Sequence, residues 1–123
     1  MIRLYTDGAC RDVDGCVPIV SWAYAVIHDT LPEDRQCTSD CYGECLYYYT
    51  NSRNVAGEIE AVCRGLHYLV GVGVRKATIF YDYEGIEKWI TGEWQAKIEL
   101  TKEYVQEFKR ICDFGDIDIG KKK

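Results

Sequence analysis

The stretch Arg53–Glu58, with the sequence Arg-Asn-Val-Ala-Gly-Glu, opens the longest helix that the sequence predicts. From there apolar residues recur at helical spacing as far as Val70 and form one stripe that must be buried against the rest of the protein. Glu58 lies on the side of that stripe, whereas Glu60 points away from it and can pair with Arg64 four residues later. We therefore expect Glu60 to be an ordinary solvated charge and Glu58 to be a carboxylate at the rim of the core.

The composition indicates one globular domain, residues 1–123, because 47% of the residues are hydrophobic and the chain is long enough to bury a core. No apolar run reaches the length of a membrane span, and the strand pattern that begins at Ile2 leaves no room for a signal peptide. Seven cysteines without such a signal indicate mostly reduced thiols in a cytoplasmic protein. The net charge of −5 counts against a passive nucleic-acid coat, but it does not exclude an enzyme that binds phosphates through metal ions.

The predicted order of elements is three strands, the long helix, a fourth strand, two helices and a last strand. This order indicates an α/β fold whose first three strands form a meander. The strands are predicted at Ile2–Asp7, Ile19–His28, Glu44–Thr50, Lys76–Tyr81 and Phe114–Ile119, and the helices begin at about Asn54, Glu84 and Thr101.

Asp7 and Asp82 are each predicted to close a strand. If strands one and four lie parallel, their carboxyl ends meet at the edge where α/β sheets bind ligands, and Glu58 lies near the start of the helix that connects them. Clustered carboxylates repel one another unless a cation lies among them, and oxygen ligands without His or Cys favour Mg²⁺ or Mn²⁺. Such a cluster suits phosphodiester hydrolysis with two ions about 3.5–4 Å apart. Aspartates at strand ends are also common turn residues, and the spacing alone does not decide between the two interpretations.

Three stretches in succession resemble the motifs of type 1 ribonuclease H, above all those of its short bacterial and phage members. They are Ile2–Ala9 (IRLYTDGA), Arg53–Glu58 (RNVAGE) and Ile79–Ile86 (IFYDYEGI). The resemblance extends over nearly the whole chain, and the three motifs together are more specific than any one of them. It implies the ribonuclease H-like fold, an α/β fold with a mixed five-stranded sheet, and metal-dependent cleavage of the RNA strand of RNA–DNA hybrids.

The resemblance also implies roles for individual residues. The implied catalytic residues, which would hold two Mg²⁺ or Mn²⁺ ions, are Asp7, Glu58 and Asp82. Asp7 would bridge both ions. The implied substrate-binding residues are Asn54, Gly8 and Ala9, and the amide of Asn54 suits a 2′-hydroxyl in the minor groove of the hybrid.

One departure from the family is large. The family continues past its last strand through a loop with a His into a C-terminal helix with a fourth carboxylate, whereas this sequence reaches Gly120 and three lysines. With the C-terminal helix missing, we expect low activity that Mn²⁺ supports better than Mg²⁺. We also expect a homodimer that covers the uncovered sheet face, with Trp22 and Tyr24 near the contact. The alternatives are a catalytically impaired module that binds nucleic acid or protein, and a truncated form of an ordinary enzyme.

Two further groups of residues each have two interpretations. The cysteines Cys37, Cys41 and Cys45 recur every four residues, which suggests a metal site, but a zinc site needs a fourth ligand and small buried residues are the favoured interpretation. Trp89 and Trp94 follow the Asp82 motif closely. They are either packing residues or a stacking edge for a sugar or base.

Overall fold

The computed structural model describes residues 2–11, 19–28, 37–45, 53–112 and 116–122. Along the chain these residues form β1 (Ile2–Arg11), β2 (Ile19–His28), β3 (Cys37–Cys45), α1 (Arg53–Gly71), β4 (Lys76–Tyr81), α2 (Gly85–Thr91), α3 (Glu99–Cys112) and β5 (Asp116–Lys122). The predicted order of elements is confirmed. Phe114, at the predicted start of the last strand, lies outside the described residues. None of the described helices is long and apolar enough to cross a membrane.

The strands form one mixed sheet in the order β3-β2-β1-β4-β5. β2 runs antiparallel to both β1 and β3, whereas β4 lies parallel to both β1 and β5. The parallel ladder between β1 and β4 is short and joins Arg3–Tyr5 to Thr78–Phe80. After Tyr5 the pairing of β1 with β2 continues as far as Arg11, opposite Ile19.

The helix α1 lies close against β1 because small residues face the sheet at every fourth position, namely Gly57, Ala61 and Gly65. A Cβ on Gly57 would lie 2.6 Å from the carbonyl oxygen of Ser21, and a Cβ on Gly65 would lie 2.6 Å from Cδ1 of Leu4. Only glycine permits a helix to approach a sheet this closely at these two positions. The contact fixes where the first turns of α1 lie over β1.

The core lies between the sheet and the helices, which all pack on one face. Tyr104 of α3 is buried, and its hydroxyl donates to the carbonyl oxygen of Ile86 in α2 at 2.7 Å. The stripe predicted along α1 is largely buried from Ile59 to Leu69, whereas Val70, which was predicted to belong to it, is 43% exposed. Glu60 pairs with Arg64 at 3.1 Å, as predicted. Fully buried residues of the core include Leu4, Val26, Val62, Leu66, Leu69, Ile79 and Ile86.

Trp22 and Tyr24 lie under α1, so the prediction that they face a dimer partner is wrong. Trp22 is 6% exposed, and the guanidinium carbon of Arg64 lies 5.2 Å from its ring centroid. The ring of Tyr24 lies 5.9 Å from that of Tyr68 on α1. Because side chains alternate along a strand, residues 20, 22, 24 and 26 of β2 share the helical face, and residues 21, 23, 25 and 27 point to the other face.

The prediction that the third strand begins at Glu44 is wrong, because β3 spans Cys37–Cys45. Residues 46–50 of the predicted strand lie outside the described part. Pairing with β2 from end to end fixes β3 through backbone hydrogen bonds, which polar residues supply as well as apolar ones. The extended backbone also places the Cα atoms of Cys37, Cys41 and Cys45 about 13 Å apart in succession. The three cysteines are therefore too far apart to share one metal ion.

An ion cluster joins α1 to α3 and makes stability depend on pH. Glu107 of α3 accepts hydrogen bonds from Arg110 and contacts His67 of α1, with Nε2 of His67 3.0 Å from its Oε1. The hydrogen bonds from Arg110 are the main reason that the pKa of Glu107 is lowered from its usual value.

We expect this carboxylate to stabilise the fold at neutral pH by up to about 1 kcal/mol, since the cluster is partly solvated. A carboxyl whose pKa is lower in the folded than in the unfolded state contributes stability above the unfolded pKa of about 4.3, and this is lost as the pH falls through the folded pKa. Chemical unfolding at pH 7 and pH 3 should therefore show a smaller acid-induced loss of stability in Glu107→Gln than in wild type. Glu103→Gln, an exposed glutamate of the same helix, is the matched control and should retain the wild-type loss.

Candidate metal centre

Three carboxylates from three parts of the chain converge at one edge of the sheet. Asp7 lies in β1, Glu58 lies in the second turn of α1, and Asp82 follows the last residue of β4. Each offers one carboxylate oxygen, and these three oxygens lie within 4.8 Å of one another. Asp7 and Asp82 are exposed, whereas Glu58 is 7% exposed. The cluster is therefore open to solvent on one side and held by the core on the other.

The register of β1 and β4 explains why Asp7 meets Asp82. Tyr5 and Phe80 form the last parallel pair, and their stacked rings have centroids 4.8 Å apart. Each aspartate comes two residues after this pair, and side chains two residues apart on a strand point to the same face. The prediction that Asp7 closes its strand is wrong, because the pairing with β2 extends β1 to Arg11.

The backbone N–H of Gly8 lies between two of the carboxylates. It donates to Oδ1 of Asp7 at 3.0 Å and to Oε1 of Glu58 at 3.3 Å. This arrangement requires the close packing of β1 and α1, because a Cβ on Gly8 would overlap the backbone of Gly57 and Glu58. A shared donor orients both carboxylates before any ligand binds.

A second hydrogen bond fastens the strand end that carries Asp82. Tyr81, the last residue of β4, is 2% exposed, and its hydroxyl donates to a carboxylate oxygen of Glu87 in α2. Burial, followed by this hydrogen bond, raises the pKa of Tyr81 to about 12, so the hydroxyl keeps its proton at neutral pH. The bond ties α2 to the position immediately before Asp82.

The cluster fits a hard divalent cation. Two oxygens on one Mg²⁺ are roughly 3 Å apart at neighbouring positions and roughly 4.2 Å apart on opposite sides, so side-chain shifts of roughly 1–2 Å bring the three oxygens into range. A pair of ions, which spans a greater width, needs less adjustment. All three donors are carboxylates, a set that suits Mg²⁺ or Mn²⁺ better than zinc.

The three residues predicted to bind substrate all lie in β1 or the first turn of α1, but the side chain of one of them is not described. Ala9 is exposed on β1 beside the cluster. Gly8 is partly buried beneath α1, and its N–H contacts the carboxylates. Asn54 lies in the first turn of α1, but its side chain is outside the described part of the chain. Contact of these residues with substrate stays a prediction.

An aromatic groove, defined by the rings of Tyr83, Trp89 and Trp94, begins one residue after Asp82. The ring centroids lie 5.9–6.1 Å apart, and Nζ of Lys88 lies 5.5 Å from the centroid of the Trp94 ring. A cavity of about 320 Å³ lies against two of these rings, those of Tyr83 and Trp89, and the residues that also line it include Val55, Gln95, Lys97 and Ile98. Both interpretations of the tryptophans hold in part, because each ring packs on its neighbours and is still partly exposed.

Two residues that shape the cluster are absent from the sequence-based prediction. Gly57 belongs to the quoted helix motif, and the recurrence of small residues at positions 57, 61 and 65 was the signal for close helix packing. Thr6 precedes Asp7 and bonds to β4, but nothing in the sequence distinguishes it from any other strand threonine. Its contact depends on the register of two strands that are far apart along the chain.

No protein-family model and no curated protein matches this sequence. Several solved structures match its fold. The RNase H1 of the archaeon Halobacterium salinarum is 15% identical with a TM-score of 0.69, covering 99% of this chain and 83% of its own. LC11-RNase H1, solved in complex with an RNA/DNA hybrid, is 17% identical with a TM-score of 0.71, covering 98% and 84%. The N-terminal RNase H domain of a Mycobacterium tuberculosis protein is 11% identical with a TM-score of 0.70, covering 98% and 82%. The chain therefore has the ribonuclease H-like α/β fold.

Proposed function

We propose that this protein is a metal-dependent endonuclease that hydrolyses the RNA strand of RNA–DNA hybrids. The observation that supports the proposal most is the cluster of Asp7, Glu58 and Asp82, with oxygens within 4.8 Å of one another, in a fold shared with RNase H1 structures. Three like charges side by side repel one another, and a bound cation would neutralise this repulsion.

In the proposed reaction each carboxylate has its own task. Asp7 and Asp82 are exposed, so they would hold the cation on the side that the substrate phosphate approaches, whereas Glu58 is buried and holds the cluster to the core. When bound, Mg²⁺ or Mn²⁺ supplies a nucleophile at neutral pH and neutralises the charge that develops on the phosphate. The Gly8 N–H keeps two carboxylates in one orientation, so little reorganisation is needed when the substrate arrives.

The substrate surface of the proposed enzyme includes the aromatic groove and the predicted contacts of Asn54, Gly8 and Ala9. Aromatic rings beside a lysine suit nucleic acid, because rings stack on sugars or bases and the amine pairs with phosphate. Tyr83 joins the two parts, since it follows Asp82 directly and its ring lies 5.9 Å from that of Trp89. Phosphate contacts from this side would offset the repulsion expected from a net charge of −5.

The decisive experiment is the incubation of pure protein with a labelled RNA–DNA hybrid in Mg²⁺ and, separately, in Mn²⁺. Single-stranded RNA, double-stranded RNA and double-stranded DNA are the substrate controls, and protein with a chelator is the metal control. The proposal predicts cleavage of the RNA strand of the hybrid only, and only with metal. The second candidate is a module that binds nucleic acid or protein without turnover, and it predicts that the hybrid stays intact with either metal ion. The net charge of −5 favours protein over nucleic acid as the ligand of such a module.

Two further properties belong to this proposal. The proposed location is the cytoplasm, which agrees with the free thiols of Cys37, Cys63 and Cys112 among the described cysteines. Self-association as a homodimer stays a prediction. Its contact would use the open sheet face, which carries the stacked Tyr5 and Phe80, and not the buried Trp22 region.

A further inference from the structure

The hydroxyl of Thr6 joins the two strands that carry Asp7 and Asp82. Thr6 is 1% exposed, and its Oγ1 donates to the carbonyl oxygen of Phe80 at 3.2 Å. It is adjacent to Asp7 in β1, and Phe80 lies two residues before Asp82 in the chain. This hydrogen bond thus connects the two strands from which the exposed carboxylates of the cluster project.

The position of this bond makes it important. The ladder between β1 and β4 ends at the pair of Tyr5 and Phe80, whereas β1 continues beside β2. The Thr6 hydroxyl adds a link one residue past Tyr5, the last residue of β1 that pairs with β4. Without it, the segments that hold Asp7 and Asp82 would lose a direct link beyond the end of that ladder.

Thr6 cannot act on the substrate or a metal ion directly. It is almost fully buried and its hydroxyl is bonded to the carbonyl oxygen of Phe80, so it is not accessible to a ligand. Its effect on the cluster must therefore pass through the backbone, which makes it a positioning residue.

We propose that the Thr6 hydroxyl sets the separation of Asp7 from Asp82 and thereby the affinity of the cluster for divalent cations. The inference rests on the proposed function, because it assumes that the cluster binds metal. If the separation of Asp7 from Asp82 already matches the cation, the strands need not move when the cation binds, and the free-energy cost of binding is lower. A looser pair would still bind the cation, but more weakly.

A purely structural role is the competing explanation, because a buried hydroxyl needs a partner wherever it lies. Thr101 provides the matched control. It is 3% exposed and donates to the carbonyl oxygen of Ile98 at 3.0 Å, in α3. Thr101→Val should lower stability as Thr6→Val does, but it should leave metal affinity unchanged.

The test measures Mn²⁺ affinity by titration calorimetry on folded protein, together with the melting temperature. Thr6→Val is expected to bind Mn²⁺ about tenfold more weakly than wild type, the factor that corresponds to the upper end of the net contribution of one hydrogen bond. Thr6→Ser, which keeps the hydroxyl, is expected to stay within about twofold of wild type. If the valine variant does not fold, the pair Thr6→Ser and Thr6→Ala, which differ only in the hydroxyl, gives the same comparison.

The outcomes separate this inference from the proposed function. Wild-type affinity in Thr6→Val, or equal affinities in the serine and alanine variants, overturns the positioning role while the metal site stands. Weakened binding in Thr101→Val to the same degree also overturns it, because the effect would then be one of general stability. Wild-type protein that binds no Mn²⁺ overturns the metal site itself and the inference with it.

Discussion

Asp7→Asn is expected to abolish divalent-metal binding and hybrid cleavage while leaving the fold intact. Replacing a residue that only supports a metal ligand commonly costs 10- to 100-fold in affinity, so loss of a ligand at the centre of the cluster should weaken Mn²⁺ binding by at least about 100-fold. Asparagine retains an oxygen that can accept the hydrogen bond from the Gly8 N–H, so the local backbone should not change. Calorimetry with Mn²⁺ and the hybrid cleavage assay measure the two losses.

The same variant should be more stable than wild type when metal is absent. One charge removed from carboxylates within 4.8 Å of one another relieves repulsion worth about 1 kcal/mol for largely solvated groups. In chelator, the melting temperature of Asp7→Asn should be a few degrees above that of wild type, and in Mn²⁺ this difference should shrink or reverse. Such a result would show that the cluster binds a ligand at the expense of stability.

Glu60→Gln is the control for both measurements. Glu60 lies two residues from Glu58 and carries the same charge, but it pairs with Arg64 on the outer side of α1. Its loss should change neither metal affinity nor cleavage. Unchanged Mn²⁺ binding in Asp7→Asn would contradict the proposed metal site, and equal losses in both variants would show that the assay reports net charge and not a specific site.

The elements and the residues of the cluster could be predicted because local patterns determine them. The apolar stripe that begins at Val55 specifies α1 over nearly its observed length, and the three motifs indicated which carboxylates belong together. Burial of Glu58 was also predictable, since helical spacing alone places it on the side of the stripe. Such features depend on residues that are close in sequence.

The features that could not be predicted depend on partners that are distant in sequence. The end of β1 is set by β2, whose pairing carries the strand past Asp7 to Arg11. The position of β3 is set in the same way, and its polar residues gave no strand signal of their own. The Thr6 bond to Phe80 joins residues 74 positions apart, and only the register of β1 and β4 reveals it.

Gly57→Ala is expected to damage both the fold and the metal site, although alanine normally favours a helix. The added Cβ would lie 2.6 Å from the carbonyl oxygen of Ser21 and 2.9 Å from the backbone nitrogen of Ala9, and neither backbone atom can rotate away. The first turns of α1 must then move off the sheet and carry Glu58 with them. Overpacking of this kind costs about 1–3 kcal/mol, a large share of the stability of a small domain.

Two glycines of the same helix make this test specific to the contact. Gly71→Ala adds a Cβ that meets nothing within 4 Å, so it should be neutral or stabilise the protein by up to about 1 kcal/mol. The three atoms nearest to a Cβ on Gly65 all belong to the side chain of Leu4, which can shift more easily than backbone, so Gly65→Ala should fall between the other two variants. In urea unfolding, Gly71→Ala should therefore have the highest free energy of unfolding, Gly65→Ala an intermediate one and Gly57→Ala the lowest. The affinity for Mn²⁺ should fall most in Gly57→Ala, because that glycine is adjacent to Glu58. Wild-type stability and affinity in Gly57→Ala would mean that α1 does not lie this close to β1, and the geometry of the carboxylate cluster would then be wrong as well.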